Sequence, residues 1–200
     1  MNRRLLLAVA TAVTVVGAAL AMQRRSNHGG EGPSAVAPSP VSPAVVRAAA
    51  VEGNAAEPSF NLRIQAGSAV YRYGVPIQIR AWLTGTGPRA QEQLVASGSG
   101  LVLFTWEQQG GDLRQEALAT AACAPYSMNR GQALPAPFAK SGGFSADDPH
   151  AAFWKQYFAD PALHLPAGRY RIHAQTDFYV GECGGLEHRL DAAIVVDVLR

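Results

Sequence analysis

Two cysteines, five histidines and one dense aromatic run are the residues of this chain that could do chemistry. Cys123 lies in "ATAACAPYS" and Cys183 in "YVGECGG", at the tip of a glycine-rich turn. A catalytic thiol needs a neighbouring histidine and a depressed pKa. His188 follows across the turn, so a reactive Cys183 is one option. The simpler one, in an exported chain, is a single bridge. Cys123–Cys183 would close a loop of about 60 residues and stabilise by up to about 4 kcal/mol in the chain-entropy view. That disulfide is the expectation. Without C-x-x-C spacing the pair makes a poor zinc site. His28, His150, His164, His173 and His188 form neither H-x-H nor H-E-x-x-H, so no metal ligand is expected. Asp147-Asp148 could be half of a carboxylate pair, although a helix cap accounts for Asp148. Ser141-Gly142-Gly143 reads as a turn. There is no G-x-S-x-G, phosphate loop or calcium loop. No catalytic residue and no cofactor follow from these patterns.

The aromatic run is "DDPHAAFWKQYFAD", residues 147–160. It predicts a short helix, with Asp148 as cap and Pro149 in the first turn. Phe153, Trp154, Tyr157 and Phe158 then recur at helical spacing. Either the helix lids an open end of the fold and its aromatics are core, or they form an exposed surface for a partner or a saccharide.

The elements that position these residues read as strands. "FNLRIQA" puts Phe60, Leu62 and Ile64 on one face, and "VPIQIRAWLTGTG" does the same for Ile77, Ile79, Ala81 and Leu83. "GLVLFTWEQQGGDLRQEALAT" predicts a hairpin: a strand Leu101 to Gln108, a Gly110-Gly111 turn and a return Leu113 to Thr120. A second hairpin closes the chain. With Cys183 at its centre, Tyr170, Ile172, Ala174 and Thr176 oppose Val196, Ile194, Ala192 and Leu190. On the other face Asp177 meets Arg189 and Arg169 meets Asp197. A one-residue slip would set apolar residues against charged ones. His173 falls on the solvent face. By contrast, 121–164 does not read as strands, and a connection this long is usually functional or structured on its own terms.

Six or seven short strands with little helix predict an all-β antiparallel sandwich over 59–200. "LPAGRYRIHA", with Leu165, Gly168 and Tyr170, resembles the start of the penultimate strand of bacterial immunoglobulin-like domains. "YRYGVPIQIRAWLTGTG" is similar to the second-strand region of the group that includes BsuPI-type proteinase inhibitors. The resemblance implies an immunoglobulin-like sandwich, with Tyr170 as a tyrosine corner and Trp106 as a core tryptophan. Position 172 departs from the antibody pattern, with isoleucine in place of cysteine.

Before the sandwich, "MNRRLLLAVATAVTVVGAALAMQRRSN" has a basic start, an apolar run from Leu5 to Met22 and a small-x-small site at Ala19-Leu20-Ala21. Residues 1–22 read as a signal peptide or an uncleaved membrane anchor. Residues 23–58, rich in proline, glycine and alanine, read as a disordered linker. The protein is therefore expected outside the cytoplasm, in the periplasm, either free or tethered to the membrane by an uncleaved signal. Net charge is +2, and residues 59–200 balance basic and acidic side chains, which argues against nucleic acid. The pattern favours a non-catalytic module that binds an envelope protein through Phe153, Trp154, Tyr157 and Phe158. Two alternatives are a proteinase inhibitor presenting "MNRGQALPAPF", residues 128–138, and a carbohydrate-binding accessory domain using Trp154 and Tyr157.

Overall fold

The computed structural model describes residues 49–200. The expected signal or anchor and most of the expected linker lie outside the described residues. The fold is an all-β sandwich with one short helix. Its strands are β1 (Val51–Ala56), β2 (Phe60–Ala66), β3 (Val70–Arg72), β4 (Ile79–Gly85), β5 (Gln91–Ser97), β6 (Leu103–Gln109), β7 (Arg114–Gln115), β8 (Cys123–Asn129), β9 (Ala133–Pro137), β10 (Gly168–Val180) and β11 (Leu186–Leu199). The helix α1 spans Ala151–Ala159. One sheet runs β1-β2-β4-β9, and the other β3-β11-β10-β5-β8. The free edge of β10 is shared, since β6 covers Arg169 to Gln175 and β5 covers Phe178 to Val180.

The β10–β11 register is the expected one: Tyr170↔Val196, Ile172↔Ile194, Ala174↔Ala192, Thr176↔Leu190, Asp177↔Arg189 and Arg169↔Asp197. Its apolar face packs on the other sheet. Phe60 meets Phe178 edge-on at 4.9 Å. Leu62, Ile64, Ala81 and Leu83 are fully buried in one core with Ile172 and Val196, and each buried leucine, isoleucine or valine contributes about 1.5–3 kcal/mol.

Four expectations are corrected. The sandwich begins before 59, because Val51–Ala56 pairs with β2 along its length although its sequence, VEGNAA, carries no strand-like apolar alternation. Gly53 explains part of that choice. It lies so close to β11 that a Cβ there would sit 2.0 Å from the carbonyl oxygen of Ala193. The return after Gly110-Gly111 is only the two residues of β7, since the chain leaves the sheet after Gln115. The segment 121–164 holds two strands, β8 and β9, which pair with β5 and β4 respectively. Their alternation is there, with Ala124, Tyr126 and Met128 turned inward in β8 and Leu134 and Ala136 in β9, but both are short and proline-containing and so read as loop. They cross from one sheet to the other at Arg130 to Gln132, where the Gly131 amide donates to the Gly85 carbonyl (2.8 Å). The strands therefore number eleven rather than about seven, and β3 pairs with β11 in parallel, making that sheet mixed.

The outward edge of β3 is closed by its own chain. The Ser68 hydroxyl donates to the Val70 carbonyl (2.7 Å) and accepts from the Val70 amide (3.0 Å). The Val75 amide occupies the Arg72 carbonyl.

Candidate functional site

Cys123 and Cys183 form the expected disulfide, and no free cysteine remains among the described residues. The bridge ties the tip of the β10–β11 turn to the first residue of β8. Both half-cystines are exposed. His188, the partner a reactive thiol would need, is engaged elsewhere. Its Nδ1 lies 2.5 Å from Glu57 Oε1, and its ring packs on Phe60 and Phe178. His173, half-buried, pairs with Asp191 at 2.7 Å instead of standing free.

The aromatic helix is a lid. Trp154 and Tyr157 are buried, at 6% and 3% exposure, while Phe153 and Phe158 are half-buried against the core. Trp106 and Tyr157 carry the junction, as Trp106 Nε1–H donates to the Tyr157 hydroxyl (2.9 Å). That hydroxyl donates to Gln115 Oε1 (3.5 Å), and Gln115 Nε2 donates to the Ser141 carbonyl (2.5 Å). Burial drives the Tyr157 phenol well above its ordinary pKa, and the Trp106 bond offsets part of that. Of the two readings of this helix, the lid holds for Trp154 and Tyr157 and the open surface does not, because at i,i+3 spacing they share the helix face that packs on Trp106. Asp148 does not cap α1. Its carboxylate accepts the His150 amide (2.7 Å) in a turn built around Pro149, and the helix starts at Ala151.

Tyr170 is fully buried and edge-on to Trp106 (5.7 Å), but its hydroxyl has no hydrogen-bond partner among the described residues. The expected tyrosine corner, which needs a main-chain acceptor for that hydroxyl, is not formed. Burial raises the phenol pKa to about 12. Residues 128–138 lie largely within β8 and β9, so they do not project as an inhibitory loop.

A concave site occurs where sequence reasoning did not look. Ile77 and Leu163 pair across the connections that follow β3 and α1, the Ile77 amide donating to the Leu163 carbonyl (2.8 Å). This pairing sets the β3–β4 turn beside the helix and leaves a groove of about 330 Å³ between them. Its apolar walls are Tyr73, Phe153, Tyr157, Leu165 and Pro166. Gly74, at φ 82°, takes the left-handed position of the turn that holds Tyr73 out. Four polar groups converge on the same space: Lys140, Gln156, Asp160 and His164.

Lys140 anchors the end of α1. It donates to the carbonyls of Tyr157 and Asp160 (2.6 Å to the latter), and its ammonium lies 3.9 Å from the centre of the Tyr157 ring. It supplies the cation that the last helical turn lacks in its own sequence. Removal from water lowers its pKa below the ordinary lysine value, with the Asp160 charge offsetting part of that. Asp160 is itself engaged, one oxygen accepting the Ala162 amide (2.8 Å) and the other 3.4 Å from His164 Nε2. Period-two reading of "YRYG" hides Tyr73 by grouping it with buried Tyr71; the signal that could have separated them is the Gly74–Pro76 turn. No sequence pattern points to Lys140.

No group of three or more potential metal ligands occurs among the described residues. What the fold and groove define is an all-β sandwich with a small aromatic-walled recess at one end. Compared with protein-family models, with curated proteins and with solved structures, the chain matches none.

Proposed function

We propose that this protein is an exported, non-catalytic binding module of the bacterial envelope, and that it holds a protein partner at the groove between the β3–β4 turn and α1. One observation carries the proposal. Of the seven large apolar side chains that stand exposed among the described residues, four (Val70, Tyr73, Val75 and Leu199) gather on β3, its turn and the adjoining end of β11. Tyr73 is 67% exposed and Val75 48%. Such clustering marks an interaction surface more often than scatter does. A recess bordered by exposed aromatic and aliphatic groups suits an anchor residue of a partner, with the rim excluding water. The immunoglobulin-like resemblance agrees with a binding role but does not identify the partner. Export rests on the amino-terminal sequence. The inhibitor and saccharide alternatives have less support, since most of 128–138 lies in β8 and β9 and Trp154 and Tyr157 are buried.

The test uses the purified full chain against a displayed peptide library. Sequences enriched by the wild type and lost with Tyr73→Asp/Val75→Asp, whose circular dichroism should be unchanged, support the proposal. Equal enrichment by both proteins, or none by either, refutes it. Cell fractionation tests export separately.

A further inference from the structure

Resting on that assignment of the groove, we infer that the group it accepts is the free C-terminal carboxylate of a partner chain whose last residue is apolar. The recess is at the small end of the range for ligand pockets, room for about one amino-acid residue. Its walls are mainly aromatic and aliphatic, which suits an apolar side chain. Charge selects what accompanies it. Lys140 has three N–H donors. Two are spent on the Tyr157 and Asp160 carbonyls, and the third has no acceptor among the described residues. An ammonium beside aromatic walls and partly removed from water gains from an anion, and a carboxylate satisfies the remaining donor with a charge-assisted bond.

Asp160 lines the same recess and its charge acts on Lys140, but its two oxygens are directed to the Ala162 amide and His164 and neither takes the remaining Lys140 donor. The exposed amide of Gln156 offers another donor on the same side. A C-terminal residue combines both features, an apolar side chain and an anion on one carbon. Capture of a terminal carboxylate is a recurring way of reading peptides. The exposed Tyr73 at the groove, continued by exposed Val75 in the same turn, favours a chain over a free small acid, because residues upstream of the terminus would lie on it.

Calorimetric titration of the full chain uses N-acetyl-Ala-Ala-Phe as the free acid, its C-terminal amide, and 3-phenylpropionate, each to about 1 mM. The acid is expected to bind at least about tenfold tighter than the amide and tighter than phenylpropionate. Lys140→Met should erase the acid–amide difference, and Lys140→Arg should keep it. If Lys140→Met fails to fold, the acid–amide contrast on the wild-type protein still decides. Equal binding of acid and amide, both lost in Tyr73→Asp/Val75→Asp, overturns the inference while leaving the groove as a peptide site. Phenylpropionate binding as tightly as the tripeptide overturns the peptide source. No binding of the acid overturns the inference, and the library selection above then decides the groove's role independently.

Discussion

The β10–β11 hairpin and the segment from Cys123 to His164 cover the same core by different means. In the hairpin, 13 consecutive residues of β10 find partners across one turn, and each side chain's environment follows from its parity. In the segment, two strands join opposite sheets, and the helix is fastened by a few side-chain contacts to distant residues. Trp106 and Tyr157, for example, are 51 positions apart. The first region spreads its stability over many equivalent pairs. The second concentrates it in single groups, so it should be the more brittle to substitution.

The strongest challenge to that contrast is Trp154→Ala. If the helix is core, the loss is about 3–5 kcal/mol in denaturant unfolding, comparable to a large aromatic deletion anywhere inside. A loss below about 1 kcal/mol would make α1 an appendage. Next comes the link between the two regions. Cys123→Ser with Cys183→Ser should cost about 2–4 kcal/mol, read as a lower unfolding midpoint that reductant no longer changes. A pair of tyrosines sharpens the comparison further. Tyr157→Phe removes the acceptor for buried Trp106 Nε1–H and should cost about 1–3 kcal/mol. Tyr170→Phe, in the hairpin, deletes a hydroxyl with no partner and should leave stability equal or higher by about 1 kcal/mol. Because the Tyr170 phenol is raised to about 12, its unfolded form loses its proton first. Stability should therefore fall as pH rises from about 10 towards 12, and Tyr170→Phe should make that fall shallower. The smallest effect is Arg169→Ala on the hairpin's solvent face, where the Asp197 oxygen is 3.9 Å away and both groups are exposed. Less than about 0.5 kcal/mol is expected, shrinking further in salt.

How much could be read beforehand divides along the same line. Parity and opposite-charge pairs specify the hairpin register, and the two cysteines suffice for the bridge. The core faces of β2 and β4 are plain in their alternation. β1, β8 and β9 escaped notice because their pairing is set by neighbours far along the chain and by glycine and proline positions that read as loop. The helix was visible, but helical spacing alone could not say which side its aromatics face. The groove was invisible for a related reason. Lys140, Tyr73 and His164 share no motif and meet only because Ile77 pairs with Leu163.

The Ser68 hydroxyl, just before β3, has a consequence for life in a crowded compartment. A strand at the margin of a sheet is a template on which another chain can crystallise its own backbone, and β3 carries or adjoins exposed Val70, Tyr73, Val75 and Leu199. One side chain occupies both main-chain groups of Val70, so the margin offers sticky side chains without a hydrogen-bonding ladder. Contact there is confined to what side chains can recognise, and the same surface that invites a partner gives fibril growth no foothold.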